Sequence, residues 1–143
     1  MNPKSSMIAL CAKQLRIPSF VNYEKVLRQQ DQLSYEDFLI AMMQQELVSR
    51  DANQLKRRMK QAGFPAEKTI EEFDFTRLRH VKEAYVHQLA ACDFVRNRQN
   101  VLMLGNPGSG KTHLSIALGI RACQAGFRVK FLTAGTLATM LVE

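Results

Sequence analysis

Apolar residues in the N-terminal half of the chain recur every three or four positions, which is the spacing of one face of an α-helix. The pattern predicts two helices, over residues 4–16 and 19–30, separated by a proline. A third helix is predicted to begin at the capping pattern Ser34-Tyr-Glu-Asp37 and to run to about Gln61, because glycine and proline follow. We expect its Met42–Met43 pair to pack in the core, with a partner surface as the alternative. The apolar face comprises Leu39, Met42, Met43, Leu47, Val48, Ala52, Leu55 and Met59.

The pattern changes near residue 100. Residues 101–104 form a short apolar run typical of a buried parallel strand, and residues 127–132 alternate as a second strand. Helical spacing extends between them from Thr112 to Ala125, a glycine then stops the helix, and another helix is predicted over residues 136–142. This order predicts an α/β fold, in which an all-helical domain precedes the first half of a P-loop parallel-sheet domain. The predicted divisions are a helical domain (1–67), a linker with a helix (68–99) and a partial P-loop domain (100–143).

The loop between the first predicted strand and its helix carries the complete pattern G-x-x-x-x-G-K-[ST]. Glycines lack a Cβ atom and can adopt positive φ, so the backbone N–H groups of such a loop can surround phosphate groups. Lys111 supplies a positive charge for the β- and γ-phosphates, and the Thr112 hydroxyl is placed to coordinate Mg²⁺. The sequence therefore predicts a site for a nucleoside triphosphate with Mg²⁺. The candidate residues are Gly105, Asn106, Pro107, Gly108, Ser109, Gly110, Lys111, Thr112 and His113.

Hydrolysis requires more than this loop. P-loop ATPases use a carboxylate from a later strand to hold Mg²⁺, and a further polar group to orient the attacking water. Residues 113–142 contain neither Asp nor Glu. We therefore assign no catalytic residue, and we expect a truncated copy that holds ATP without hydrolysing it alone.

A formal net charge of +7 at pH 7 indicates an acidic partner, for which nucleic acid is the commonest candidate. The densest group of cations lies on the last turns of the third predicted helix, where Arg57 and Arg58 are expected to face away from the apolar stripe. These side chains contact DNA phosphates or a protein that holds DNA, or else they simply suit a helix C-terminus and keep the surface soluble. The basic cluster comprises Lys56, Arg57, Arg58 and Lys60.

From two further features we expect neither a membrane-spanning nor a secreted protein. No apolar run reaches the roughly 18 residues that span a bilayer, and the first residues lack the apolar core of a signal peptide. Cys11, Cys92 and Cys123 are scattered, as expected for reduced thiols of a cytoplasmic protein.

Two aromatic residues, Phe73 and Phe75, flank an acid ahead of the P-loop. Spacing alone favours core packing for both, although an aromatic face can also hold an adenine ring.

The chain resembles the IstB-type ATP-binding helper proteins of insertion-sequence transposition. The resemblance rests on the Phe-Asp-Phe segment, the basic helix end and Gly-Lys-Thr-His-Leu at residues 110–114. The IstB-type proteins are AAA+ ATPases similar to the DnaC-type helicase loaders. The resemblance extends roughly from residue 15 to residue 143.

The resemblance implies that the linker helps to form the adenine pocket, which favours Phe73 and Phe75 as ATP-binding residues. It implies that the basic cluster contacts DNA or a partner. It further implies a protein that forms an ATP-driven self-oligomer, binds duplex DNA and recruits a cognate transposase.

Two alternatives remain open. A fragment of a helicase loader would share the ATP-binding core but would bind a replicative helicase. A non-enzymatic fragment would bind DNA or transposase through its helical domain and would carry a vestigial P-loop. A small-molecule kinase explains neither the basic helix nor the long region before the loop.

Overall fold

The computed structural model describes residues 2–29 and 33–142. Its helices confirm the predictions for residues 4–16, 34–61, 112–125 and 136–142, with ends shifted by one or two residues. The predicted helix over 19–30 is instead a 3-10 helix, Pro18–Asn22, followed by a short α-helix; its predicted end at residue 30 lies outside the described residues. The α-helices are α1 (Pro3–Leu15), α2 (Tyr23–Gln29), α3 (Tyr35–Ala62), α4 (Glu83–Ala90), α5 (Asp93–Arg96), α6 (Lys111–Gln124) and α7 (Ala134–Val142).

The chain forms two compact units, Met1–Gln54 and Leu55–Glu143, and the division falls within α3. The start of α3 follows the capping prediction. The Ser34 hydroxyl accepts a hydrogen bond from the Asp37 N–H (3.1 Å) and donates one to the Asp37 carboxylate (2.7 Å). The side chain thus satisfies a free N–H group at the helix start.

A buried carboxylate on α3 fixes the turn after α1 in the first unit. Glu46 is only 6% exposed, and it accepts hydrogen bonds from the Ser19 N–H (3.0 Å) and from Arg50 Nε (2.9 Å). Arg50 also donates to the Arg16 carbonyl (2.7 Å), and Arg16 ends α1 with a left-handed φ of 57°. The Arg50 guanidinium is therefore hydrogen-bonded to groups of the first unit.

We expect the first unit to lose stability in acid through Glu46. Burial alone raises the pKa of this carboxyl. The hydrogen bonds from the Ser19 N–H and the Arg50 guanidinium lower the pKa by a larger amount, so it lies below its ordinary value. A lowered folded-state pKa contributes stability above the unfolded value of about 4.3, and this contribution is lost as pH falls through the folded pKa. Urea unfolding followed by circular dichroism at pH 7 and pH 3 should show a smaller pH dependence in Glu46→Gln than in wild type. Glu36→Gln, a change in the first turn of the same helix, is the matched control; equal pH dependence in all three proteins would contradict the prediction.

The apolar face predicted for α3 is only partly covered. Met42 is fully buried, as expected, but Met43 is 55% exposed, so the expected core packing of the pair holds for one residue. Its exposed apolar neighbours on α3 are Leu39, Ile40, Leu47 and Val48. Among the described residues, no helix combines the length and apolarity that crossing a membrane requires.

The core of the second unit is built on α6. Its residues Leu114, Ala117 and Leu118 pack with Ile70, Phe73 and Val86, which come from the preceding linker and from α4. Gly126 ends the helix with φ 94°, and the Phe127 N–H bonds back to the Ala122 carbonyl (2.9 Å). This is the glycine stop that the sequence predicted. Through Leu114, Ala117 and Leu118, one side of α6 packs against the linker close to the glycine-rich loop.

The predicted parallel sheet is not confirmed. In residues 2–29 and 33–142 no strand is present, and both predicted strand segments, 101–104 and 127–132, lack a ladder partner. The Phe131 N–H instead donates to the Ala62 carbonyl at the end of α3 (2.8 Å). Leu102 and Leu104 are 83% and 85% exposed, whereas Met103 packs against the core, so only one face of the apolar run is covered here. A strand becomes stable only when neighbouring backbone groups pair with it, which accounts for the difference.

Candidate phosphate-binding site

The glycine-rich loop leads directly into the first turn of α6. Gly108 and Gly110 adopt φ values of 79° and 91°, and the Gly110 carbonyl accepts the first helical hydrogen bond, from Leu114 N–H (2.9 Å). The Ser109 N–H closes a turn on the Asn106 carbonyl (3.2 Å). The first N–H groups of a helix have no acceptor within it and carry the positive end of its dipole. The loop and helix therefore place backbone donors where an anion can bind.

Lys111 folds its side chain into the loop. Its Nζ donates to the carbonyl oxygens of Gly105 and Asn106, both at 2.7 Å, and to the Ser109 hydroxyl at 3.2 Å. The ammonium group is thus held within the curve of the backbone by neutral acceptors. Phosphate oxygens are stronger acceptors for an ammonium donor because they carry charge. This donor set fits a polyphosphate.

Thr112 is exposed on the first turn of α6, next to Lys111. Across residues 2–29 and 33–142 there is no group of three or more His, Cys, Asp or Glu side chains that could enclose a metal ion. Mg²⁺ commonly keeps water ligands and is held by one or two protein groups together with substrate phosphates. A single hydroxyl beside a phosphate site fits this mode, and the Mg²⁺ role of Thr112 stays a prediction.

Phe73 and Phe75 lie in different environments. Phe73 is 6% exposed, and its ring packs against Gly110; an alanine Cβ at position 110 would lie 2.5 Å from Phe73 Cε2. This ring therefore has no free face for an adenine in the present structure, because the core covers it. Phe75 is half-buried and stacks on His87, with ring centroids 5.6 Å apart and an interplanar angle of 30°. Of the two predicted adenine contacts, Phe75 is the more accessible.

His113 points away from the loop and toward the linker. Its Nε2 lies 2.7 Å from the Thr69 carbonyl oxygen, and its ring meets the Phe73 ring edge-on with centroids 5.2 Å apart. The sequence placed His113 among the nucleotide-binding residues but gave no sign of the Thr69 contact. A carbonyl leaves no pattern in a sequence, so this part of the site could be found only from the fold.

The basic cluster divides into two kinds of side chain. Arg58 is partly buried, and its Nε donates to the Cys123 carbonyl (2.9 Å) near the C-terminus of α6. Its expected position away from the packed face is therefore wrong: the guanidinium adds a hydrogen bond to a carbonyl of the last helical turn, which also accepts one from the Gly126 N–H (3.1 Å). Lys56, Arg57 and Lys60 are exposed, as the prediction requires of phosphate contacts.

A glycine-rich loop with positive-φ glycines, a lysine inside its curve and a buried helix behind it defines a P-loop nucleotide-binding protein. The family model for IstB-like ATP-binding proteins matches residues 11–143, and the chain belongs to this family.

Several relatives carry names that assign them to an insertion sequence and to ATP binding. The chain is 43% identical over 112 residues to a protein of insertion sequence IS21 from Pseudomonas aeruginosa, covering 78% of this chain and 42% of that protein. It is 37% identical over 109 residues to a protein of IS5376 from Geobacillus stearothermophilus, covering 76% and 43%. An IS21-like protein from Bacteroides fragilis is 29% identical over 126 residues, covering 86% and 63%. The chain thus spans less than two thirds of the length of each of these relatives.

Proposed function

We propose that the chain is an ATP-binding helper of insertion-sequence transposition. The observation that carries the proposal is the Lys111 ammonium inside a loop of positive-φ glycines, in a chain of the IstB-like family. The proposed ligand is ATP with Mg²⁺, with the Thr112 hydroxyl as a metal ligand. Phosphate contacts are proposed for the loop, residues 105–110, and Lys111. Phe75, the accessible aromatic residue of the linker, is proposed for the base.

A titration of the purified chain with ATP, with and without Mg²⁺, tests this proposal. Saturable binding that tightens with Mg²⁺ is expected, because the metal bridges phosphate oxygens and neutralises their charge. Failure to bind ATP under either condition would contradict the proposal and favour the vestigial P-loop. Because residues 113–142 contain no acidic side chain to orient water, we further propose that the chain holds ATP without turnover.

We also propose that residues 101–104 and 127–132 are strands of a parallel sheet when neighbouring strands pair with them. The family membership and the exposure of Leu102 and Leu104 support this, since buried strands of α/β sheets are apolar on both faces. The free thiols Cys11, Cys92 and Cys123 support a cytoplasmic location.

Duplex DNA is the proposed acidic partner of the exposed cations Lys56, Arg57 and Lys60. Changing all three to Gln is expected to reduce the slope of log affinity against log salt concentration by about 2–3, since each phosphate contact contributes roughly 0.9. Binding to a DNA duplex at several salt concentrations measures this slope. Lys4, Lys13 and Lys25, changed together to Gln, remove the same charge elsewhere and serve as the control. An equal change in both triple variants would mean that net charge, and not this surface, sets the slope.

A cognate transposase and a self-oligomer are the other proposed partners. The relatives are named for insertion sequences, which supports transposition over helicase loading. Pull-down with the transposase of the same element and with a replicative helicase separates the two functions. Retention of the helicase alone would favour the loader.

A further inference from the structure

Phe73 occupies the space directly beside the last glycine of the loop. A Cβ atom at position 110 would lie 2.5 Å from Phe73 Cε2 and 2.9 Å from its Cζ, well inside contact distance. The ring is 6% exposed and belongs to the core cluster with Ile70 and Leu114. Gly110 thus rests against an aromatic ring that is itself held by the core.

The linker that carries Phe73 is attached to the same helical turn at a second point. His113 Nε2 donates to the Thr69 carbonyl over 2.7 Å, because a carbonyl oxygen can only accept. The Phe73 N–H closes a turn on the Ile70 carbonyl (3.1 Å), and the His113 ring packs edge-on against Phe73. Residues 69–73 therefore form a short turn with two contacts to the phosphate site. Phe73 packs against Gly110 of the loop, and the Thr69 carbonyl accepts a hydrogen bond from His113 in the first turn of α6.

We propose that Phe73 and His113 are positioning residues of the phosphate site. They hold Gly110 and the first turn of α6 in the conformation that aims backbone N–H groups at phosphate, and neither contacts the base. A glycine-rich loop without such support samples many conformations, and binding must then order it at the expense of affinity. This inference rests on the proposed ATP-binding function, and it assigns Phe73 a different role from the adenine contact expected from the family resemblance.

Comparing ATP with inorganic tripolyphosphate, which has no base, separates positioning from base contact. Phe73→Leu shortens the ring and is expected to weaken both ligands by the same factor, about tenfold. Phe75→Leu is the matched comparison, a linker aromatic proposed to touch the base. Because the Phe75 ring also packs edge-on against Phe73, with centroids 5.2 Å apart, this variant should weaken ATP by a clearly larger factor than tripolyphosphate. A Phe73→Leu variant that weakens ATP alone, or neither ligand, would overturn the proposal.

His113 provides a second test should Phe73→Leu fail to fold. His113→Ala is expected to weaken both ligands by a common factor, and His113→Gln, which retains an N–H donor for the Thr69 carbonyl, should restore part of the loss. Circular dichroism melts of every variant check whether the fold is kept. Equal affinities of wild type, Ala and Gln variants would overturn the role of His113. Wild type that binds neither ligand would overturn the proposed function itself, and this inference with it.

Discussion

Replacing Lys111 with Met is expected to weaken ATP binding by about 10- to 100-fold, while the free energy of unfolding changes by less than about 1 kcal/mol. Methionine keeps an unbranched stem but removes the ammonium that bonds the Gly105 and Asn106 carbonyls and the Ser109 hydroxyl. Hydrogen bonds to charged groups contribute roughly 1.5–3 kcal/mol, which corresponds to that loss of affinity. The freed carbonyls lie in an exposed loop and can bond to water, so stability changes little.

Isothermal titration with ATP and urea unfolding measure the two quantities on the same protein. Lys82→Met is the matched control, an exposed lysine at the start of α4. Loss of ATP affinity in both variants would indicate a general effect of net charge. Unchanged affinity in Lys111→Met would show that the ammonium does not reach phosphate, and would support the vestigial P-loop.

The elements most accurately predicted from sequence are those whose signals are local. The start of α3 at Ser34 and the end of α6 at Gly126 depend on capping hydrogen bonds between groups only a few residues apart in the sequence. The strands at 101–104 and 127–132 were predicted from apolar pattern alone. Strand pairing depends on backbone groups elsewhere, so the pattern could not guarantee it. The loop itself was predictable because its chemistry is encoded in consecutive residues.

Contacts between distant positions account for what the sequence could not show. Arg58 reaches the Cys123 carbonyl across 65 positions, and His113 reaches the Thr69 carbonyl across 44. Both acceptors are backbone groups that every residue type carries, so no residue pattern marks them. The same limit applies to Phe73: its spacing could not distinguish a base-stacking ring from one that packs under Gly110.

Gly110→Ala is expected to destabilise the second unit and to abolish ATP binding. Two contributions to the loss of folding free energy add at this position, backbone strain and steric overlap. Alanine at φ 91° is strained by about 1–2 kcal/mol, and the new Cβ overlaps the Phe73 ring at 2.5 Å, an overpacking worth about 1–3 kcal/mol. Urea unfolding should therefore show a loss of about 2–5 kcal/mol, from the sum of these terms. ATP binding should fall below detection, because the displaced residue directly precedes the first turn of α6 and sets the direction of its N–H groups.

Substitution at Gly126 separates the backbone strain from the steric overlap. It has nearly the same backbone angle, φ 94°, but a Cβ there would have no neighbour within 4 Å. Gly126→Ala should thus show the backbone strain alone, about 1–2 kcal/mol, with ATP affinity unchanged. Equal destabilisation by the two substitutions would mean that Phe73 does not restrict position 110.

The double variant Gly110→Ala with Phe73→Leu completes the argument. Leucine lacks the Cε and Cζ atoms that meet the new Cβ, so the overlap is relieved while the backbone strain remains. The two changes should be non-additive by at least about 0.5 kcal/mol, with the double variant more stable than the sum of the single effects predicts. Additive effects would place the damage in the backbone alone. Non-additivity would show that the linker ring and the phosphate loop are one packed element, so that a change in either is felt at the site.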